Sequence, residues 1–150
     1  MLKNIINRKI FSVTPDQNVR EVAKLMKSHD VGAILVCEKT GKKPLGIITD
    51  RDIAIKCVAE DHQAEDCKAS DLMTVSPATV LETDGLYDCI QKMYKHRVRR
   101  IAVVDQQGNA SGLVTFGDVV GILSKELSEL AFAGTSIGDQ EKRSVKEKAA

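Results

Sequence analysis

The chain has no tryptophan, and aromatics make up only 3% of its 150 residues. That removes the stacking platform on which single-stranded nucleic acids are held. Charge of one sign is also missing. Lys and Arg number 22 against 21 Asp and Glu, a net charge of +1, so no broad footprint for nucleic acid or a membrane surface is expected. No uninterrupted apolar run approaches the length of a membrane span, and MLKNIINRKIF lacks the pattern of a secretion signal. A cytoplasmic location is expected. The four cysteines (Cys37, Cys57, Cys67, Cys89) form no C-x-x-C pair, and His29, His62 and His96 are scattered, so no metal site is expected. Reduced structural thiols are expected, with Cys67 the most exposed. No phosphate-binding Walker loop, G-x-S-x-G or H-E-x-x-H occurs, and the dispersed acids and histidines nominate no acid–base pair. The expectation is a protein that is not an enzyme and needs no cofactor.

What is present is a repeat. Shifted by 67 positions, His29-Asp30-Val31 meets His96-Arg97-Val98, Ile34 meets Ile101 and Val36 meets Val103. One deletion in a turn then brings GIITDRDI (46–53) onto GLVTFGDV (112–119). The apolar pattern repeats too. Val19, Val22, Ala23 and Met26 are answered by Leu86, Cys89, Ile90 and Met93, one stripe of an amphipathic helix written twice. Asp16 and Thr83 are candidate N-caps. Short apolar runs at 33–37 and 101–104 and return runs at 45–49 and 112–115 predict a hairpin in each copy. A helix is predicted over 50 to about 60, and a longer one from Gly117. Each copy thus reads β-α-β-β-α over about 55 residues. So small a unit buries little surface by itself, and two copies sharing a core are expected.

The segments DLMTVSPATVLETD, HRVRRIAVVDQQGNASGLVTFGDV, FSVTPDQNVREVAKLM and HDVGAILVCEKTGKKPLGIITDRDI carry a resemblance to a tandem pair of CBS domains, a module that senses adenosyl ligands. The resemblance covers residues 5 to about 126. It implies an α+β fold of two pseudo-symmetric βαββα repeats packed sheet to sheet, with clefts between them. The organisation expected is domain 1 at 5–60, a linker at 61–70, domain 2 at 71–126, and a helix end with a mobile tail at 127–150.

Thr49-x-x-Asp52 and Thr115-x-x-Asp118 have a structural reading as capping boxes at helix starts. They also have a functional one, because a carboxylate there can accept two hydrogen bonds from a vicinal ribose diol. In CBS pairs the matching Thr contacts phosphate and the matching Asp holds the ribose. Arg99 and Arg100 occupy the doublet position that reaches phosphates in nucleotide-binding pairs, and a guanidinium fork suits that task. The plainer reading is a solvated basic edge. The equivalent doublet in copy one is Gly32-Ala33, so the second site is expected to take phosphate and the first to lack that anchor unless Lys9, Arg51 or Arg97 compensates. The resemblance places the base against Met73, Pro77, Ala78 and Val98 in copy two, and Ile6, Ile10, Phe11 and Val31 in copy one. Ordinary core is the alternative for each.

The leading expectation is a regulatory module binding AMP, ADP or ATP, with S-adenosylmethionine or NAD as further candidates. The alternative is an interaction module without a nucleotide, working as a homodimer or on an effector protein. Leu123, Leu127 and Leu130 offer a stripe for such contacts.

Overall fold

The structure, a computed structural model, describes residues 10–39 and 42–148, with side chains as far as Gly134. The first copy runs β1 (Ser12–Val13), α1 (Val19–His29), β2 (Ala33–Cys37), β3 (Pro44–Thr49) and α2 (Asp50–Ile53). The second runs β5 (Thr79–Leu81), α4 (Leu86–His96), β6 (Arg100–Val104), β7 (Ala110–Thr115) and α5 (Phe116–Lys148). The 67-residue offset holds for the first strand, helix and second strand of each copy. Between the copies lie a short helix α3 (Ala69–Leu72) and β4 (Thr74–Val75).

The sheets are ordered β1-β2-β3-β4 and β5-β6-β7. In each, the first strand pairs parallel with the second. β2 is wholly buried because both of its faces are used. Ile34 and Val36 join a core with Val19, Val22 and Met26 of α1. The alternate residues Leu35 and Cys37 instead cluster with Ala102 of β6 and Ala110 of β7. The two sheets therefore pack through that second face, as the α+β expectation required. The chain comprises two units, one up to Val114 and one from Thr115.

Four features depart from the sequence reading. The N-caps are Asn18 and Gly85, two residues beyond Asp16 and Thr83. Asn18 Oδ1 accepts the Glu21 N–H, whereas the Asp16 carboxylate is drawn to Lys39 at 2.9 Å. The helix that begins at Asp50 widens into a π-helical turn over Ala54–Val58, where the Ala59 N–H bonds the Ala54 carbonyl. β4 joins the first sheet, pairing antiparallel with β3 at Gly46↔Val75 and Ile47↔Thr74. A Cβ on Gly46 would collide with the Met73 side chain, so glycine is what lets β4's approach lie so close. In the second unit the backbone stays helical to Lys148, longer than the apolar stripe alone marks out.

Candidate functional site

Each copy sets its Thr-x-x-Asp motif at a strand-to-helix junction. At the first, the Asp52 N–H donates to Thr49 Oγ1 (3.1 Å), while the Thr49 N–H (2.9 Å) and hydroxyl (2.6 Å) donate to Asp52 Oδ2. At the second, the Asp118 N–H donates to Thr115 Oγ1 (3.2 Å), and the Thr115 N–H (2.8 Å) and hydroxyl (2.7 Å) donate to Asp118 Oδ2. The capping reading therefore holds in both copies, and in both it consumes one carboxylate oxygen.

The remaining oxygens differ. Lys56 Nζ lies 2.9 Å from Asp52 Oδ1 and donates to the Leu72 carbonyl at 2.7 Å. The Asp52 side chain is only 17% exposed. Its burial raises the carboxyl's pKa, but bonds from the Lys56 ammonium and Thr49 outweigh that and hold it below the usual carboxylate range. In copy two the position of Lys56 is Ile122. Asp118 is exposed, and its Oδ1 has no partner among the described residues. This asymmetry is visible in the sequence, four residues past each Asp.

Arg99 is exposed and precedes β6, whereas Arg100, its first residue, is half-buried. Neither makes an ion pair among the described residues. Arg100 reaches across to the first copy. A Cβ on Gly32 would stand 3.0 Å from Arg100 Nη2 and 2.9 Å from Asp50 Oδ2. The copy-one position without a side chain thus faces the guanidinium of copy two, which alters the expectation that the first copy has no cation nearby.

The residues expected to hold a base divide. Met73 packs against the first core and lies against Gly46. Phe11 and Val31 lie at the edge of the same core; Phe11 stacks on His29 with ring centroids 3.9 Å apart. Ile10 lies with the cluster joining the sheets. Pro77, Ala78 and Val98 are half-buried; the Ala78 carbonyl accepts from Ala102 N–H, and Val98 N–H donates to Met93. Ile6 and Lys9 lie outside the described residues. Arg51 and Arg97 are exposed.

A cavity of about 630 Å³ opens elsewhere, between α2's continuation and the linker, lined by Lys56, His62, Asp66, Cys67 and Asp71 among others. None of the expected ligand-binding residues lines it. Cys67 is half-buried and, as expected, the most exposed of the four thiols; burial and the neighbouring Cys57 thiol push its pKa up. Among the described residues no cluster of His, Cys, Asp and Glu could hold a metal ion, and no helix is long and apolar enough to cross a membrane.

Comparison with known proteins places this geometry in a family. The CBS domain model matches residues 2–58 and 69–125. The CBS domain-containing protein YhcV of Bacillus subtilis (strain 168) is 35% identical over 136 residues, covering 90% of this chain and 94% of its own. The structure of the CBS domain protein PAE2072 from Pyrobaculum aerophilum, complexed with AMP, superposes with a TM-score of 0.72 at 26% identity, over 78% of this chain and 88% of that one. The CBS domain pair of protein MJ0100, in complex with 5'-methylthioadenosine and S-adenosyl-L-methionine, gives a TM-score of 0.75 at 25% identity, over 84% and 97%. Two matched domains, two matching sheets and a repeated Thr-x-x-Asp junction together show that the chain belongs to the CBS domain family, as a tandem pair forming a regulatory module.

Proposed function

We infer that this module senses an adenosine-type nucleotide, with AMP, ADP or ATP as ligand. The observation that carries this is the second junction. Asp118 is exposed and keeps one carboxylate oxygen without a partner among the described residues, while Thr115 fixes the other. A ribose diol is a pair of donors suited to such an acceptor. In the first unit, Arg100 stands by Gly32 and Asp50 and makes no ion pair among the described residues, and its fork of donors suits a phosphate. Arg99, exposed beside it, extends the same charge. The complexes of PAE2072 and MJ0100 with adenosyl compounds support the ligand class. The ligand regulates by binding one arrangement of the module better than another. Free thiols suit a cytoplasmic setting.

Thermal unfolding with AMP, ADP, ATP, NAD and S-adenosylmethionine tests this. A ligand at about 100 times its dissociation constant adds roughly 2.7 kcal/mol. The midpoint then rises by about 2–8 °C, and Asp118→Ala abolishes the rise. No rise with any of the five at millimolar concentration would reject the reading.

A second reading, homodimerisation, rests on α5. Phe116, Val120, Leu123, Leu127 and Leu130 are all exposed and recur at alternating spacings of four and three. That is the seam of a helix pair. The two readings are compatible.

A further inference from the structure

We propose that Lys56 locks the first Thr-x-x-Asp junction, so that each chain takes one nucleotide, at the second junction, and Lys56 is the residue that sets this number. The inference rests on the adenosine reading above and goes beyond it by assigning a determinant of site occupancy.

The two junctions are alike in their capping bonds and differ in what happens to the remaining oxygen. Asp52 Oδ1 faces the Lys56 ammonium at 2.9 Å, and the same ammonium is tied to the Leu72 carbonyl at 2.7 Å. Leu72 is 2% exposed and belongs to the first core, so the lysine is anchored at both ends of its hydrogen-bond set. A neutral diol arriving at Asp52 would have to displace a charged donor from a half-buried carboxylate. It would replace an ion pair, in which donor and acceptor are both charged, with bonds whose donors are neutral. It would also strand the lysine beside a buried carbonyl. At Asp118 no such competitor stands among the described residues, and the position four residues on is Ile122, which has nothing to donate. The chain therefore carries two copies of a motif and one usable acceptor.

The lock is separable from the rest of the first site. Arg100 already stands by Gly32 and Asp50, so the first copy does not lack a cation for phosphate. What it lacks is a free carboxylate oxygen. Replacing Lys56 with the residue that copy two uses should release Asp52 Oδ1 without touching the capping bonds from Thr49.

Isothermal titration of the full chain with AMP decides it, with folding of each variant checked by its thermal transition. Wild type is expected to bind about one AMP per chain. Asp118→Ala removes that binding, whereas Asp52→Ala leaves affinity within about twofold. Lys56→Ile is expected to raise the stoichiometry to about two, and the added equivalent disappears in Lys56→Ile/Asp52→Ala. Lys56→Gln, which keeps a donor for Leu72 but no charge, gives the same gain should the isoleucine variant fold poorly. Binding of two AMP by wild type, or loss of wild-type binding in Asp52→Ala, overturns the lock while leaving the adenosine reading intact. A stoichiometry that stays at one in folded Lys56 variants also overturns it. No binding of AMP by any protein, with none of the other four ligands bound in its place, overturns the adenosine reading and the lock together.

Discussion

Asp52 accepts three donors, two from Thr49 and one from Lys56, and the consequence is measurable without any ligand. Its folded pKa lies below that of an unfolded aspartate, near 3.9. The carboxylate's stabilising contribution is therefore fully present above that value and is lost as pH falls through the lower folded value. Lys56→Met should cost about 1 kcal/mol at pH 7, from the exposed half of an ion pair plus the lost bond to Leu72. Urea denaturation stepped from pH 7 to about pH 2 should show the gap between the two proteins narrowing only at the acid end. A gap that stays constant across that range would mean the lysine acts through Leu72 alone. The same comparison on Ile122 predicts no acid-dependent difference, because Asp118 has no ammonium to lose.

At the scale of elements, the repeat imposes the same strain twice. α1 and α4 both end on a left-handed residue, Asp30 (φ 53°) and Arg97 (φ 53°), one repeat apart. A helix C-terminus of this kind favours glycine, which pays no Cβ penalty there. Arg97→Gly should therefore stabilise the protein by about 0.5–1 kcal/mol, read as a higher urea midpoint at unchanged slope; a lower midpoint would show that the Arg97 side chain makes a contact worth more than the strain. The helices themselves were legible because Val19, Val22 and Met26 mark one buried stripe and Cys89 and Met93 mark its copy. The hairpins were legible for the same reason, since β2 and β6 are continuous apolar runs between turns. What sequence did not reveal has a common physical origin. The pairing of β4 with the first sheet depends on the bare Cα of Gly46 accommodating Met73, a long-range fit with no local pattern. The approach of Arg100 to Gly32 is another such fit between copies. The first N-cap lies two residues beyond Asp16, whose carboxylate pairs with Lys39 instead. The Lys56–Asp52 pair, by contrast, is local, and i,i+4 spacing would have exposed it.

For the whole molecule, the open question is what covers the apolar stripe of α5. Leu127 and Leu130 are 66% and 70% exposed, and Phe116, Val120 and Leu123 continue the row toward the start of the helix. Scattered exposed leucines mean little, but five apolar side chains in heptad register form a continuous seam. The seam is flanked by Gly117, Ser124 and Ala131 on one side and by Val119, Glu126 and Ala133 on the other, so one charge lies beside it, at the rim of a helix pair. We propose a second copy of the chain as the occupant, because the stripe is apolar along its length and can be self-complementary about a twofold axis. Size-exclusion chromatography with light scattering at about 50 µM should give the mass of a dimer. Leu123→Glu/Leu127→Glu, which places like charges in the seam, should give the 16.4 kDa monomer while the thermal transition of the fold persists. Because Thr115 and Asp118 lie at the start of α5, ahead of the substituted Leu123 and Leu127, AMP binding should survive in that variant with unchanged stoichiometry. A monomeric wild type at this concentration would reject the dimer, and loss of AMP binding on monomerisation would show instead that the second copy completes the nucleotide site.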